Sequence, residues 1–162
     1  MDISDRARRI KLLIMDCDGV LTDGRLYFGP TGEDRKVFFV RDGQGLSYWH
    51  KAGGKSGIIS GRSSPIVEMR GKELGIEYFS QGRSDKVTAF NEMIAAAGVS
   101  PDETAFVGDD TPDAEVFPLV GFAVAVGDAH QDAKKAAHYI AQNGGGQGAV
   151  REVIDILLAA RK

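Results

Sequence analysis

A short apolar run that ends in two aspartates constrains the fold of this chain more than any other feature. Leu12–Met15 is continuously apolar and leads into Asp16, with Asp18 two positions later. A run of this kind, bounded by Asp and Gly, is typical of a buried strand in a parallel sheet. Because side chains alternate along an extended backbone, Asp16 and Asp18 point to one side and Cys17 to the other. Neighbouring carboxylates repel each other unless a cation or a shared proton relieves them.

Similar short apolar runs recur along the chain and alternate with helix-like segments. The other predicted strands of the sheet cover 56–59, 76–79, 103–107, 122–126 and 138–141. The predicted helices cover 2–9, 46–51, 65–74, 84–97, 132–137 and the end of the chain from 149, and Thr111 with Pro112 predicts one further helix start. This alternation predicts an α/β fold, a doubly wound parallel sheet with helices on both faces, in one domain over 1–162. An aromatic stretch predicts a β-hairpin insertion at about 25–40, with strands at 25–28 and 35–40.

The composition limits the classes of partner. With 162 residues, 43% of them hydrophobic and 27% charged, the chain suits one soluble domain with its own core. A net charge of −3 leaves no broad basic surface for nucleic acid. No apolar run approaches the ~20 residues of a membrane span, and no signal-peptide core follows Met1, so we expect no membrane association. The single cysteine, Cys17, excludes an internal disulfide and suits a cytoplasmic location.

Polar groups stand at the carboxyl ends of several predicted strands or shortly after them. The groups are Asp16 and Asp18, Ser60 with the Gly61 amide, Lys86, and Asp109 with Asp110. Because ligands of open parallel sheets bind beyond the carboxyl ends of the strands, we expect these groups to converge. Several carboxylates in one crevice favour a hard cation with oxygen ligands, and Mg²⁺ is the expected ion.

The same groups suit phosphoryl transfer. A serine hydroxyl, a backbone amide at a strand-to-helix turn and a lysine are suitable donors to a phosphoryl group. Asp16, sharing the cation, can attack phosphorus and form an aspartyl-phosphate. Asp18 can protonate the leaving alcohol and later remove a proton from the hydrolytic water. Positioning and charge stabilisation, from the cation, Ser60 and Lys86, would lower the rest of the barrier.

These segments resemble the four motifs of the haloacid dehalogenase superfamily of phosphohydrolases. The motifs are Asp16–Asp23, Ser60–Arg62, Lys86 and Gly108–Asp113, and their order covers almost the whole chain. The resemblance implies that Asp16 is the nucleophile, that Asp18 is the acid/base and that Ser60 and Lys86 hold phosphate. It also implies a Mg²⁺ ion held by three groups with two supporting carboxylates. The three groups are Asp16, the Asp18 carbonyl and Asp109, and the supporting residues are Asp110 and Asp113.

The chain lacks room for a cap domain, because only the hairpin separates Asp23 from the second motif. Cap-less members that this chain resembles are homotetramers in which a neighbour's hairpin and loops close the site. The hairpin also carries more aromatic side chains than it can bury alone, which favours a partner subunit. These side chains are Tyr27, Phe28, Phe38 and Phe39.

Within the superfamily the chain is similar to the 3-deoxy-D-manno-octulosonate 8-phosphate phosphatases and the related nonulosonate 9-phosphate phosphatases. The similarity lies in Val40–Gly45, Ser60–Arg62, Arg70 and Gly148–Glu152. It implies a magnesium-dependent phosphatase of a phosphorylated keto-sugar acid, of the kind used in lipopolysaccharide or sialic-acid-like sugars. The residues implied in substrate contact are Asp18, Phe39, Val40, Arg41, Asp42, Gly43, Gly61, Arg62, Arg70 and Lys86.

Two positions depart from the octulosonate phosphatase pattern. Ser47 and Gln147 stand where those enzymes usually carry arginine. Each change removes a guanidinium group that can pair with a carboxylate through two hydrogen bonds. The substrate is therefore less defined than the reaction, and another sugar phosphate or a nucleotide remains an alternative, as does phosphosugar mutase activity.

Two alternatives come from outside the enzyme class. A signalling receiver domain also gathers acidic groups, a serine or threonine and a lysine at strand ends, but its phosphoacceptor lies mid-chain, where this chain has Ser60. The other alternative is an inactive relative that only binds sugar phosphates. The complete set of Asp16, Asp18, Lys86 and Asp109 argues against it, since no chemical group is missing.

Overall fold

The computed structural model describes all 162 residues and contains eight strands and seven α-helices. The strands are β1 (Leu12–Met15), β2 (Tyr27–Gly29), β3 (Gly32–Arg35), β4 (Lys55–Ser60), β5 (Tyr78–Gln81), β6 (Thr104–Gly108), β7 (Phe122–Ala125) and β8 (Tyr139–Ile140). The helices are α1 (Ile3–Arg8), α2 (Val40–Lys51), α3 (Pro65–Glu73), α4 (Lys86–Ala97), α5 (Thr111–Ala114), α6 (Gln131–Ala136) and α7 (Ala149–Ala159). None of these helices is both long enough and apolar enough to cross a bilayer.

Six of the strands form one parallel sheet in the order β5-β4-β1-β6-β7-β8. The fold is the predicted α/β type, a parallel sheet flanked by helices with a small antiparallel hairpin, β2-β3. Strand β1 lies between β4 and β6, and the chain passes to β4 on one side and later to β6 on the other. This reversal of strand order is a switch point, where a crevice opens beyond the strand ends.

The core explains why β1 is the central strand. All four of its residues are buried, and they pair with β4 and β6 along their whole length. Large apolar side chains from helices and other strands complete the core, including Trp49, Phe90, Phe106 and Phe117. Cys17 is fully buried, as its predicted direction required. Burying such side chains stabilises the fold by about 1.5–3 kcal/mol each.

The segment after the hairpin differs from the prediction. We expected a strand over 35–40 and a helix only from Leu46, but β3 ends at Arg35 and helix α2 begins at Val40. The two glycines in the first turns of α2 face close neighbours: a β-carbon on Gly43 would come within 2.8 Å of the Leu74 side chain, and one on Gly45 within 2.9 Å of Arg151. These glycines permit close helix packing instead of forming a turn, and local propensity gives no sign of that.

The other boundaries follow the prediction closely. Helix α4 begins after Asp85, whose carboxylate accepts a hydrogen bond from the Thr88 amide at 2.9 Å, and ends at Gly98 with a positive φ of 67°. Strand β5 begins at Tyr78, two residues later than expected, because the Ile76 amide still bonds back to the Gly71 carbonyl at the end of α3. Apart from the second strand of the hairpin, each predicted strand and helix overlaps an observed one, and capping contacts set where these elements end.

Candidate active site

Asp16 lies at the carboxyl end of β1, and only 7% of the residue is exposed. Its amide donates to the Val107 carbonyl, which continues the pairing with β6 for one residue beyond the strand. Its Oδ1 accepts a hydrogen bond from the Cys17 amide at 2.7 Å and lies 3.3 Å from the Lys86 ammonium. The carboxylate is thus held at the bottom of the crevice by backbone and by one cation.

The chain turns sharply after Asp16, and that turn brings Asp18 back over the crevice. The Cys17 carbonyl accepts hydrogen bonds from the amides of Val20, Leu21 and Thr22. The Thr22 hydroxyl in turn accepts hydrogen bonds from the Gly19 and Gly24 amides. These bonds satisfy the backbone of a buried loop, which would otherwise carry a desolvation penalty.

The second group of carboxylates follows β6. Asp113, in the first turn of α5, is fully buried, and its Oδ2 accepts hydrogen bonds from the amides of Asp109 and Asp110 at 2.9 and 3.3 Å. Its Oδ1 accepts a hydrogen bond from Lys86 at 2.6 Å. Asp110 is exposed and caps α5 through the Thr111 amide. Both predicted supporting residues therefore lie beside Asp109, where they fix the loop.

Asp16, Asp109 and Asp113 place carboxylate oxygens within 4.8 Å of one another. Burial raises the pKa of Asp16 to about 6, helped by the Asp113 charge and opposed by Lys86 and the Cys17 amide. Burial also raises the pKa of Asp109 to about 8, helped by the charges of Asp16 and Asp113. The crowded negative charge calls for a cation or a proton.

The donor set fits Mg²⁺, which takes oxygen ligands and only one or two carboxylates. Both oxygens of Asp113 are already used by Lys86 and by the two backbone amides. Asp16 and Asp109 are the carboxylates left to hold an ion. We therefore propose that Asp113 supports the site and does not bind the ion.

Lys86 is the cation that contacts the carboxylates of Asp16 and Asp113. It is the first residue of α4 and is buried, with its ammonium between Asp16 and Asp113. Burial lowers the pKa of Lys86, but the charges and hydrogen bonds of these two carboxylates outweigh it, so the net direction is upward. The lysine therefore stays protonated and can stabilise negative charge on a phosphoryl group.

A cleft of about 310 Å³ opens above these groups at the carboxyl ends of β1, β4 and β6. Ser60, the last residue of β4, contributes a buried side chain, and Gly61 and Arg62 form its rim. The structure therefore brings together nine of the predicted residues. They are Asp16, Asp18, Ser60, Gly61, Arg62, Lys86, Asp109, Asp110 and Asp113.

The remaining predicted substrate residues do not reach this cleft within one chain. Phe39 and Arg41 line a separate cleft of about 470 Å³ beside α7. Asp42 is buried and accepts a hydrogen bond from the Arg151 amide at 2.9 Å, and Gly43 packs against Arg70. Arg70 pairs with Glu73, and Val40 is 75% exposed at the start of α2.

Sequence reasoning missed two charged residues of the hairpin that reach the site. The Lys36 ammonium lies 2.6 Å from Oδ1 of Asp18 and 3.0 Å from Oε1 of Glu33, and the lysine side chain is 2% exposed. Glu33 in turn accepts a hydrogen bond from the Ser64 hydroxyl. The one available signal was a lysine within an otherwise apolar run, 36–40, which is weak because lysines are also common on exposed strands.

The chain is similar in sequence to one family of hydrolases. Residues 75–154 match the haloacid dehalogenase-like hydrolase family. The 3-deoxy-D-manno-octulosonate 8-phosphate phosphatase KdsC of Yersinia pestis is 44% identical over 160 residues, covering 99% of this chain and 86% of that protein. KdsC of Escherichia coli K12 is also 44% identical, over 99% of this chain and 85% of its own length.

Solved structures show the same relationship. A crystal structure of the Yersinia pestis phosphatase superposes with a TM-score of 0.95 at 43% identity, covering 98% of this chain and 86% of that one. A crystal structure of the Moraxella catarrhalis phosphatase, in complex with a magnesium ion, a phosphate ion and KDO, superposes with a TM-score of 0.95 at 39% identity. It covers 98% of this chain and 91% of that one.

Proposed function

Because this chain belongs to the haloacid dehalogenase-like hydrolases, we propose that it is a magnesium-dependent phosphatase of a phosphorylated keto-sugar acid. The substrate we assign is 3-deoxy-D-manno-octulosonate 8-phosphate or a related nonulosonate 9-phosphate. Relatives that share 44% of their residues over nearly the whole chain are phosphatases of the first compound. The observation that carries the proposal is the convergence of Asp16, Lys86 and Asp109 in one cleft, with Asp18 above them.

The first half of the reaction transfers the phosphoryl group to the protein. An Asp16 carboxylate oxygen attacks phosphorus as the bond from phosphorus to the sugar oxygen breaks. Asp18 gives its proton to that departing oxygen, so the sugar leaves as a neutral alcohol. Lys86 and the Ser60 hydroxyl hold the phosphoryl oxygens, and Lys86 offsets their negative charge.

The second half regenerates the enzyme. Asp18, now ionised, removes a proton from a water that attacks the phosphorus of the aspartyl-phosphate. The bond from phosphorus to Asp16 breaks, and inorganic phosphate leaves. Mg²⁺, held by the Asp16 and Asp109 carboxylates and the Asp18 carbonyl, would neutralise charge where carboxylate and phosphoryl group meet. Without such a cation, burial and the neighbouring carboxylates raise the pKa of Asp109 to about 8, so this carboxyl would be largely protonated at neutral pH.

Release of phosphate tests this function directly. The expected result is turnover of octulosonate 8-phosphate or a nonulosonate 9-phosphate that requires Mg²⁺ and stops with a chelator. A panel of other sugar phosphates and nucleotides defines selectivity. Ser47 and Gln147, where octulosonate phosphatases usually carry arginine, are the natural positions for back-substitution: Ser47→Arg and Gln147→Arg should favour octulosonate 8-phosphate. No phosphate release from any compound of the panel would contradict the proposal.

We also propose a cytoplasmic homotetramer in which a neighbouring subunit closes each cleft. Support comes from exposed apolar side chains on and after the hairpin, with Phe28 62% and Val40 75% exposed. Further support is that Arg41 and Arg70, both predicted to contact substrate, do not line the cleft of their own chain. The buried, unpaired Cys17 fits a reducing compartment.

Subunit mixing tests the shared site. Asp16→Asn subunits keep their arginines, and Arg41→Ala/Arg70→Ala subunits keep the nucleophile. If each cleft needs a neighbour, co-assembled mixtures should recover part of the activity that both homogeneous preparations lack. A monomer in light scattering at micromolar concentration, or mixtures as inactive as their components, would contradict the tetramer.

A further inference from the structure

The hairpin brings a lysine with a buried side chain to the proposed proton donor. Lys36 follows β3 directly, and its ammonium is 2.6 Å from Oδ1 of Asp18. The same ammonium lies 3.0 Å from Oε1 of Glu33, inside the hairpin. With only 2% of its side chain exposed, Lys36 is far more buried than lysines usually are. Burying a lysine ammonium is unfavourable unless paired carboxylates offset the loss of its hydration.

A chain of contacts anchors this lysine to the body of the protein. Glu33 accepts a hydrogen bond from the hydroxyl of Ser64, the residue that caps α3. Burial raises the pKa of Glu33, but the hydrogen bonds from Ser64 and Lys36 outweigh it and hold the pKa below its usual value. Glu33 therefore stays ionised and bridges α3 to the hairpin. The hairpin is thereby held over the cleft at Asp18.

Asp18 is otherwise loosely held. Its side chain is 19% exposed, and its second oxygen has only Arg62 nearby, at 3.8 Å from Nε, which is beyond hydrogen-bond distance. Lys36 thus makes the one short contact that fixes this carboxyl. Asp18 lines the cleft, and its Oδ2, which Lys36 does not contact, is the oxygen left to serve a leaving group there.

We propose that Lys36 is a positioning residue that orients the Asp18 carboxyl toward the leaving oxygen, with Glu33 and Ser64 holding the lysine in place. This inference rests on the proposed phosphatase function. Lys36 acts through Asp18, because its ammonium is shielded from the cleft and is already shared by two carboxylates. Small errors in the placement of a proton donor are costly, since proton transfer requires hydrogen-bond distance in the transition state.

The test uses two substrates that differ in their need for a proton. A sugar alkoxide leaves poorly without protonation, whereas p-nitrophenolate leaves readily as an anion. Lys36→Met removes the ammonium and keeps the length of the side chain. We expect kcat/KM for the sugar phosphate to fall at least tenfold more than kcat/KM for p-nitrophenyl phosphate. Lys55→Met is the matched control, because Lys55 is a half-buried lysine that donates to the Ala97 carbonyl away from the cleft.

A double-mutant cycle separates positioning from general damage. In an Asp18→Asn background the proton donor is already gone, so Lys36→Met should cause no further change in the ratio of the two kcat/KM values. Glu33→Gln keeps hydrogen-bonding atoms beside Ser64 and Lys36 but removes the charge, and it should shift the ratio in the same direction by a smaller factor. This second variant decides the question if Lys36→Met does not fold.

The outcomes distinguish the two proposals. An active wild-type enzyme whose ratio is unchanged by Lys36→Met and Glu33→Gln would overturn the positioning role and leave the phosphatase function standing. A shift in the ratio that persists in full in the Asp18→Asn background would also overturn it. A wild-type protein that hydrolyses neither ester in Mg²⁺ would overturn both.

Discussion

Gly19 lies so close to Asp109 that a β-carbon added to it would overlap the Asp109 carboxylate. The two residues belong to loops that follow β1 and β6, neighbouring strands of the sheet. Gly19 also has a φ of 86°, a conformation that side-chain-bearing residues rarely adopt. The absence of a side chain at this one position lets the two loops of the proposed metal site meet.

Gly19→Ala should therefore weaken Mg²⁺ binding by displacing Asp109. We expect the Mg²⁺ concentration for half-maximal activity to rise at least tenfold. Gly53→Ala is the matched control, because Gly53 has a similar φ of 81° but open space around it. Backbone strain of about 1–2 kcal/mol is expected in both variants. Only Gly19→Ala should also raise the Mg²⁺ concentration needed for half-maximal activity. If both variants needed the same Mg²⁺ concentration for half-maximal activity, the contact between Gly19 and Asp109 would not be the cause of weaker binding.

Substitution of the two aspartates after β1 should separate their roles. Asp18→Asn removes general acid–base help and should lower kcat by ~10²–10⁴. Asp16→Asn removes the proposed nucleophile and should cost at least as much. Rapid-quench experiments should trap a phosphoryl adduct on the wild-type protein and none on Asp16→Asn. Asp132→Asn, an exposed site on α6, is the control and should retain full activity.

Stability of the metal-free protein should fall as pH rises from about 4 to about 8. The pKa values of Asp16 and Asp109 are raised in the folded state, to about 6 and about 8, so the folded state binds more protons than the unfolded chain in this window. The free energy of unfolding then decreases with pH. Mg²⁺ competes with these protons, so it should raise Tm more at pH 8 than at pH 5. Equal increases in Tm at both pH values, or an increase retained by Asp109→Asn, would contradict this prediction.

Asp42 supplies a pH dependence that is independent of metal. Burial raises its pKa to about 6, against an opposing hydrogen bond from the Arg151 amide, and its Oδ2 has no hydrogen-bond partner. A folded-state pKa raised from 3.8 to about 6 makes wild-type stability decline between pH 4 and pH 7, by about 3 kcal/mol. Asp42→Asn cannot ionise at this position. In urea unfolding, the free energy of unfolding of the variant should therefore rise relative to that of wild type by this amount between pH 4 and pH 7. A constant difference between the two proteins would contradict the assignment.

The sequence by itself determined the fold class and the chemical groups of the proposed site. Short apolar runs specify buried strands regardless of context, and parallel topology places their carboxyl ends at one edge. Asp16, Asp18, Ser60, Lys86 and Asp109 were therefore identifiable from their positions along the chain, and the structure brings them to one cleft.

Only the tertiary structure decided which charges pair and where α2 begins. Lys86 pairs with Asp113, 27 positions away, and Lys36 pairs with Asp18, 18 positions away. No local sequence pattern predicts pairs at such separations. Helix α2 includes Gly43 and Gly45 because neighbouring helices press against them, and this packing overrides their low helix propensity. Periodicity along the chain fixes the strands and helices, whereas contacts across the crevice depend on how loops from separate strands fold back.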